Sequence, residues 1–323
     1  MQRISTSNRQ LNKFGAGKDG WQNGNPATST DATYGEAEWF DAVQEELANI
    51  IESMGIALNP ATRTQVRDAI RLMVGGVVGA CKNLVISTTG TNASVSVSFD
   101  ELVLGDATGR RKVVRNQALT INMAGAIGDP LSLSVGPLSA NTWYAIHVWD
   151  NGVSTTATAD PSATAPTAPT GYVGGVSAKA GWIRTDSSGS KFPLGILTND
   201  RSTKYRQAAG SNVSSMPVMA SGVAGGTGAF SAVAVGAFVP PSASKIHVSL
   251  VGVHSNTSSA VGPNNTYTFG SGATTSAPIS NSTTASSVVL ASSGQMILES
   301  SNIYYYSDTP SSNLCCVGWE DKS

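Results

Sequence analysis

Hydrophobic residues follow two rhythms along this chain, and each predicts a different structure. Between residues 39 and 54, Trp39, Phe40, Val43, Leu47, Ile50, Ile51 and Met54 recur at steps of three and four, which puts them in one stripe of a helix. Thr33 and Glu36 have the spacing of a capping box ahead of that stripe, and Gly55 supplies a left-handed residue to end it. A shorter stripe of Val66, Ala69, Ile70 and Met73 predicts a second helix. Asn59 is placed to cap it, Pro60 suits its first turn, and Gly75-Gly76 stops it. From about residue 83 the period falls to two. Val95, Val97 and Phe99 alternate with serines, Leu131, Leu133 and Val135 do likewise, and 143–149 alternates Trp, Ala and His against Tyr, Ile and Val. Further strand-like runs lie at 172–176, 181–185 and 192–197, then at 232–239, 245–253, 287–291, 295–299 and 302–306. Short runs parted by Gly, Asn, Asp and Pro predict an antiparallel sandwich or barrel. No repeat of fixed period occurs, which disfavours a solenoid.

Residues 1–30 have neither rhythm. They are polar and Gly-rich, so the segment cannot bury itself and is expected to be mobile unless ordered on another protein, with Phe14 and Trp21 as its anchors. The expected organisation is mainly β: an N-terminal attachment arm over 1–30, a two-helix collar over 31–82, a β domain over 83–207 and a C-terminal β-sandwich tip over 208–323. Two short helices make a poor core by themselves. Trp39, Phe40, Val43, Leu47, Ile50 and Met54 are therefore expected to pack between the helices and against symmetry mates.

Composition agrees with folding. The 323 residues are 40% hydrophobic with a net charge of -1, whereas disorder goes with few apolar residues and high net charge. Charged residues make up only 13% of the chain, which suits a surface partly covered by partner subunits. Near-neutrality argues against nucleic acid, which needs a dense set of Lys and Arg. The cluster Arg110, Arg111, Lys112 and Arg115 follows a turn signal at 106–109 and reads as a solvated hairpin. Three cysteines, Cys81, Cys315 and Cys316, are not a disulfide framework. The adjacent pair is expected to point to opposite faces of a strand, as reduced packing residues. No signal peptide is read at the start, and the apolar stretch 70–81 is too short to span a bilayer, so a soluble protein is expected.

Candidate chemistry is sparse. His147 and His247 fall among packing residues of strands, and His247 and His254 lack the Cys or Glu neighbours of a zinc site. The segment Gly15-Ala16-Gly17-Lys18-Asp19 lacks the first glycine, the hydroxyl residue and the preceding strand of a phosphate loop. Beyond residue 201 the only carboxylates are Glu299, Asp308, Glu320 and Asp321, which is thin for sugar cleavage by paired acids. No catalytic residue, metal or cofactor is expected.

Three stretches carry a resemblance. Asn23 to Thr28 with Trp39 to Glu52, then Ala163 to Tyr172 with Gly181 to Asp186, and the ending Cys316 to Lys322 resemble segments of bacteriophage and prophage tail fibre proteins. The resemblance implies a homotrimer in the virion, made in the host cytoplasm. Its N-terminus would attach to tail or baseplate proteins, and its C-terminal domain would adhere to a polysaccharide or protein receptor on the host cell. In that setting the loops 256–267 and 308–314 are the expected contact regions, with Asn264, Asn265, Tyr267, Tyr305 and Asp308 as candidate receptor-binding residues. Three weak sites on one stalk would reinforce one another. The alternatives are a purely structural tail or baseplate component, or a glycan-cleaving tail protein.

Overall fold

The computed structural model describes residues 3–73, 76–225, 229–267 and 277–322. It divides into two compact units, one of residues 1–75 with 108–110 and one of the remaining residues from 76 on.

The first unit holds the arm and two helices, α1 (Ala37–Glu52) and α2 (Gln65–Met73). Helix α1 ends as expected. Gly55 adopts φ +71°, its N–H bonds to Glu52 O at 2.8 Å, and Ile56 N–H reaches back to Ile51 O. Its start differs from expectation. Glu36 is the N-cap residue and makes no side-chain cap bond, because its carboxylate accepts from the N–H and hydroxyl of Ser5. Thr33 is also taken, bridging Gln22 N–H and Asn8 O. Helix α2 begins five residues later than Pro60. Asn59 closes a turn by accepting from Ala61 N–H, and Thr64 and Gln65 then bond Asp68 and Asn59. The helices pack on each other, but their shared core is small: of the two stripes, only Ile51 and Ala69 are buried. The Met73 side chain lies outside the described residues.

The arm has internal order that its composition did not predict. Gln10 and Gly20 form an antiparallel bridge, as do Asn25 and Thr30. Arg9 pairs with Asp19 at 2.6 Å, and Ile4 is only 3% exposed. Short polar side chains bonding local backbone replace the hydrophobic burial that the segment lacks.

The second unit is all β. Its strands in chain order are β1 (Cys81–Lys82), β2 (Val85–Thr88), β3 (Ser94–Gly105), β4 (Arg111–Asn122), β5 (Trp143–Asp150), β6 (Thr155–Asp160), β7 (Val176–Arg184), β8 (Ile196–Asn199) and β9 (Ser202–Tyr205). Then come β10 (Val218–Ser221), β11 (Ser231–Ala234), β12 (Ala243–His254), β13 (Ser258–Gly262), β14 (Ile279–Ser282), β15 (Val288–Ile297), β16 (Asn302–Ser307) and β17 (Ser312–Asp321). They form two antiparallel sheets. The larger runs β15-β12-β17-β9-β8-β2-β3-β7-β5-β6, with β4 and β1 also on β3 and β10 on β17; the smaller runs β11-β16-β13-β14.

Alternation works as expected in β3, where Val95, Val97 and Phe99 enter the core between less buried serines. It fails in β5, which is buried on both faces after Trp143. The run at 131–135 is no strand: Leu131 has φ +58°, and Leu133 alone makes a parallel bridge, to Ala159. The runs at 287–291 and 295–299 belong to one strand, β15. The strand runs through Gly294, which pairs with Val248 on β12; Ile279 packs so close there that an added Cβ would lie 2.8 Å from its Cδ1.

Residue 207 does not separate two sheets. Strand β17, at the end of the chain, pairs with β9, so Trp319 lies opposite Thr203. Trp319, 1% exposed, packs edge-on against Trp143 at 5.3 Å and Tyr205 at 5.6 Å. Trp143 Nε1 donates to Gly236 O and the Tyr205 hydroxyl to Phe238 O. One continuous core takes side chains from both sides of residue 207 and from both sheets.

Candidate functional site

The structure brings the two expected arm anchors together, whereas the expected receptor-binding residues fall in different settings. In the first unit, Phe14, Trp21 and Trp39 line an open pocket of about 360 Å³ with Arg3, Ile4 and Asp19. Trp21 meets Trp39 edge-on at 5.3 Å and lies 6.4 Å from Phe40, so the arm's second aromatic anchor is seated on the start of α1. Phe14 is 63% exposed at the rim. Gly20 makes the arrangement possible, since a Cβ there would lie 2.7 Å from Lys13 and 2.8 Å from Phe14. The charged lining is fixed as well. The Arg9 guanidinium, then the Asn12 N–H, hold the Asp19 carboxyl below its ordinary pKa. Arg3, Ile4 and Asp19 escaped the sequence reading because the turn that gathers them is made by side-chain bonds without a periodic signature. The pocket combines indole and phenyl surface with a guanidinium and a carboxylate, a lining fit for an apolar side chain flanked by polar backbone.

The stripe on α1 is only partly covered within the first unit. Phe40 is 56% and Leu47 42% exposed, while Trp39, Val43, Ile50 and Met54 are half-buried.

The candidate receptor-binding residues behave differently from one another. Tyr305 is fully buried in the core and its hydroxyl donates to Gly222 O, so it cannot meet a receptor. It faces inward because β16 alternates over its first four residues, with Ile303 and Tyr305 on the inner phase. Asp308 is exposed, but its carboxylate accepts from the N–H and hydroxyl of Ser258 and fixes a turn. Asn264 donates to Glu299 at 2.8 Å and accepts from Thr266 N–H at 3.0 Å. Asn265 is exposed, and Tyr267 is half-buried against Gly262. Residues 258–262 of 256–267 are strand β13, and β17 begins at Ser312, so both expected loops are shorter than the spacing suggested.

The histidines are scattered. His147 is 2% exposed in β5, its Nε2 3.1 Å from Ser162 O, and burial pushes its pKa down to about 4. His247 and His254 lie seven residues apart on β12, on opposite faces. His247 is 3.7 Å from Glu320; burial, with Lys204 and Lys245, lowers its pKa against the opposing pull of that carboxylate. His254 is fully buried beside Thr257. Among the described residues, no three His, Cys, Asp or Glu side chains are gathered as a metal site would need. All three cysteines are free. Cys316 faces the core and Cys315 the other side of β17, as expected, and burial pushes the Cys316 thiol up to about 12.

A polar network escaped the sequence reading altogether. Lys179 on β7 bonds Asp321 at 2.7 Å and Ser242 at 3.0 Å, Ser242 donates to Asp321, and Trp182 Nε1 donates to Ser242 at 2.7 Å. Its members are 60 or more residues apart in sequence, except for Lys179 and Trp182.

Among curated proteins, the chain is 42% identical over 74 residues to the uncharacterized protein StfP of Escherichia coli (strain K12). That stretch is 23% of this chain and 35% of StfP, so the chain matches about a third of its relative's length. No family model matches the chain. No solved structure matches it either.

Proposed function

We propose that this chain is a trimeric bacteriophage tail fibre subunit, not an enzyme, that attaches to the tail or baseplate through its N-terminal unit and carries a β-sandwich tip for adhesion to the host cell. The observation that carries this reading is the stripe on α1. A helix with Phe40 and Leu47 this exposed is stabilised by burying them against copies of itself, with the three stripes facing a common axis. The Phe14–Trp21–Trp39 pocket is the surface that receives another tail protein. The motifs shared with tail fibre proteins point the same way, and the partial likeness to StfP is compatible with it. Adhesion then falls on the exposed part of 263–267, chiefly Asn265, with Asn264 and Tyr267 beside it.

A purely structural tail role is the second reading. It is favoured by one observation: Tyr305, Asp308 and Asn264 all spend their polar groups within the chain. Light scattering on the purified protein is expected to give three times the chain mass. Phe14→Ala with Trp21→Ala should abolish incorporation into particles while the trimer persists. A clean monomer at micromolar concentration overturns the trimer, and normal incorporation overturns the attachment site. Changing Asn264, Asn265 and Tyr267 together should weaken adsorption; unchanged adsorption leaves the structural role.

A further inference from the structure

Beside the Lys179–Asp321 network, the β unit contains an open cavity of about 200 Å³, large enough for several waters or one compact organic ion. Its walls come from residues 78–84, β7, the β8–β9 hairpin and the end of β17, and the pairing of β9 with β17 holds the last two in register. Trp182 and Trp319 supply apolar wall, 4% and 1% exposed. The polar lining is unbalanced in charge, with Lys179, Arg201 and Lys322 against Asp200 and Asp321. Both Asp321 oxygens are engaged, one by Lys179 and one by Ser242. Asp200 accepts from Leu84 N–H at 2.9 Å through Oδ1. Asp321 offsets one of the positive charges of Lys179, Arg201 and Lys322, and Asp200 a second. One positive charge remains in excess. Lys179 has a third N–H beyond its bonds to Asp321 and Ser242. Arg201 and Lys322 line the cavity and are exposed, and neither makes an ion pair or side-chain hydrogen bond among the described residues. Their backbones are nevertheless fixed, since Asp321 N–H bonds Arg201 O at 3.0 Å and Lys322 N–H bonds Ser242 O at 3.1 Å.

We propose that this cavity binds a compact organic anion, its carboxylate or phosphate held by Arg201 and Lys322 and its carbon skeleton lying along the Trp182 and Trp319 walls. Guanidinium and ammonium donors form charge-assisted bonds with such oxyanions, roughly twice as strong as neutral ones. The assignment stands independently of the attachment and adhesion readings, because it uses neither the arm nor the loop at 263–267.

The test uses the full-length protein and four probes: glucuronate, glucose 6-phosphate, inorganic phosphate and glucose. Calorimetry and tryptophan fluorescence are expected to show saturable binding of at least one of the two anionic sugars, weakened by added salt. Comparing glucuronate with glucose 6-phosphate tells carboxylate from phosphate. Glucose should bind at least about tenfold more weakly, and phosphate more weakly than the anionic sugar that carries the matching group. Arg201→Gln with Lys322→Gln should weaken binding by about tenfold or more with the melting temperature unchanged, since each substitution removes a charge-assisted hydrogen bond. Arg115→Gln, on the exposed face of β4, should leave binding unchanged. Cys81 lines the same cavity, so bound ligand should slow its alkylation by iodoacetamide relative to Cys315, read by mass spectrometry. No saturation by either anionic sugar in the millimolar range, equal affinity for glucose, or full affinity in the double variant overturns the proposal.

Discussion

Replacing His147 by glutamine removes a titrating group from the middle of β5 and should flatten the acid side of the protein's stability profile. The ring is 2% exposed, and Nε2 lies 3.1 Å from Ser162 O, a bond that a glutamine amide can reproduce. Burial is the main cause of its fall in pKa from 6.5 to about 4; Lys179 adds to it, while the Ser162 carbonyl and the Asp160 carboxylate oppose it. The folded protein therefore keeps this ring neutral in a range where the unfolded chain protonates it. Between 6.5 and about 4 the unfolded state binds more protons, so stability rises with pH across that window and is lost on acidification through it. At 1.4 kcal/mol for each tenfold change in proton affinity, the full effect is about 3 kcal/mol, a sizeable part of an ordinary domain's 5–15 kcal/mol. The carboxyls of Asp150, Asp186 and Glu320 are all held below their ordinary values, so their losses come at lower pH. His247 acts in the same direction as His147 and remains in the variant. Urea unfolding of both proteins at about pH 7 and about pH 4.5 measures the difference. The wild type should lose roughly 2 kcal/mol more than His147→Gln over that interval. Parallel losses would refute the reasoning and mean that the ring is hydrated or already charged in the folded state.

Three further outcomes follow from packing. Trp319→Ala removes the side chain that Trp143 and Tyr205 both face, and should cost about 3–5 kcal/mol in urea unfolding. Gly318→Ala puts a Cβ 2.0 Å from Thr203 O, so β17 must move off β9; a loss above about 2 kcal/mol is expected, and a neutral effect would mean the two strands separate freely. Tyr305→Phe deletes only the bond to Gly222 O and should cost about 1 kcal/mol by the same assay, with any change in adsorption no larger than the fold change accounts for.

What was legible in the sequence was whatever depends on near neighbours. The stripe of α1, its Gly55 stop, the serine–valine alternation of β3 and the opposed Cys315 and Cys316 all follow from a period of 3.6 or 2 and from local backbone geometry, which residues a few positions apart determine. Whatever depended on competition for a partner was not. Thr33 and Glu36 have capping spacing, yet Gln22, Asn8 and Ser5 claimed their oxygens first. Tyr305 lay on an expected strand at 302–306, but spacing did not say which face of that strand would meet the core. Phe14, Trp21 and Trp39 became one pocket only because Gly20 let the arm fold over itself. Arg201, Lys322 and Trp182 became one cavity only when the last strand, β17, paired with β9 across more than a hundred intervening residues. Long-range pairing is decided by the free energy of the whole sheet, and no local spacing records it.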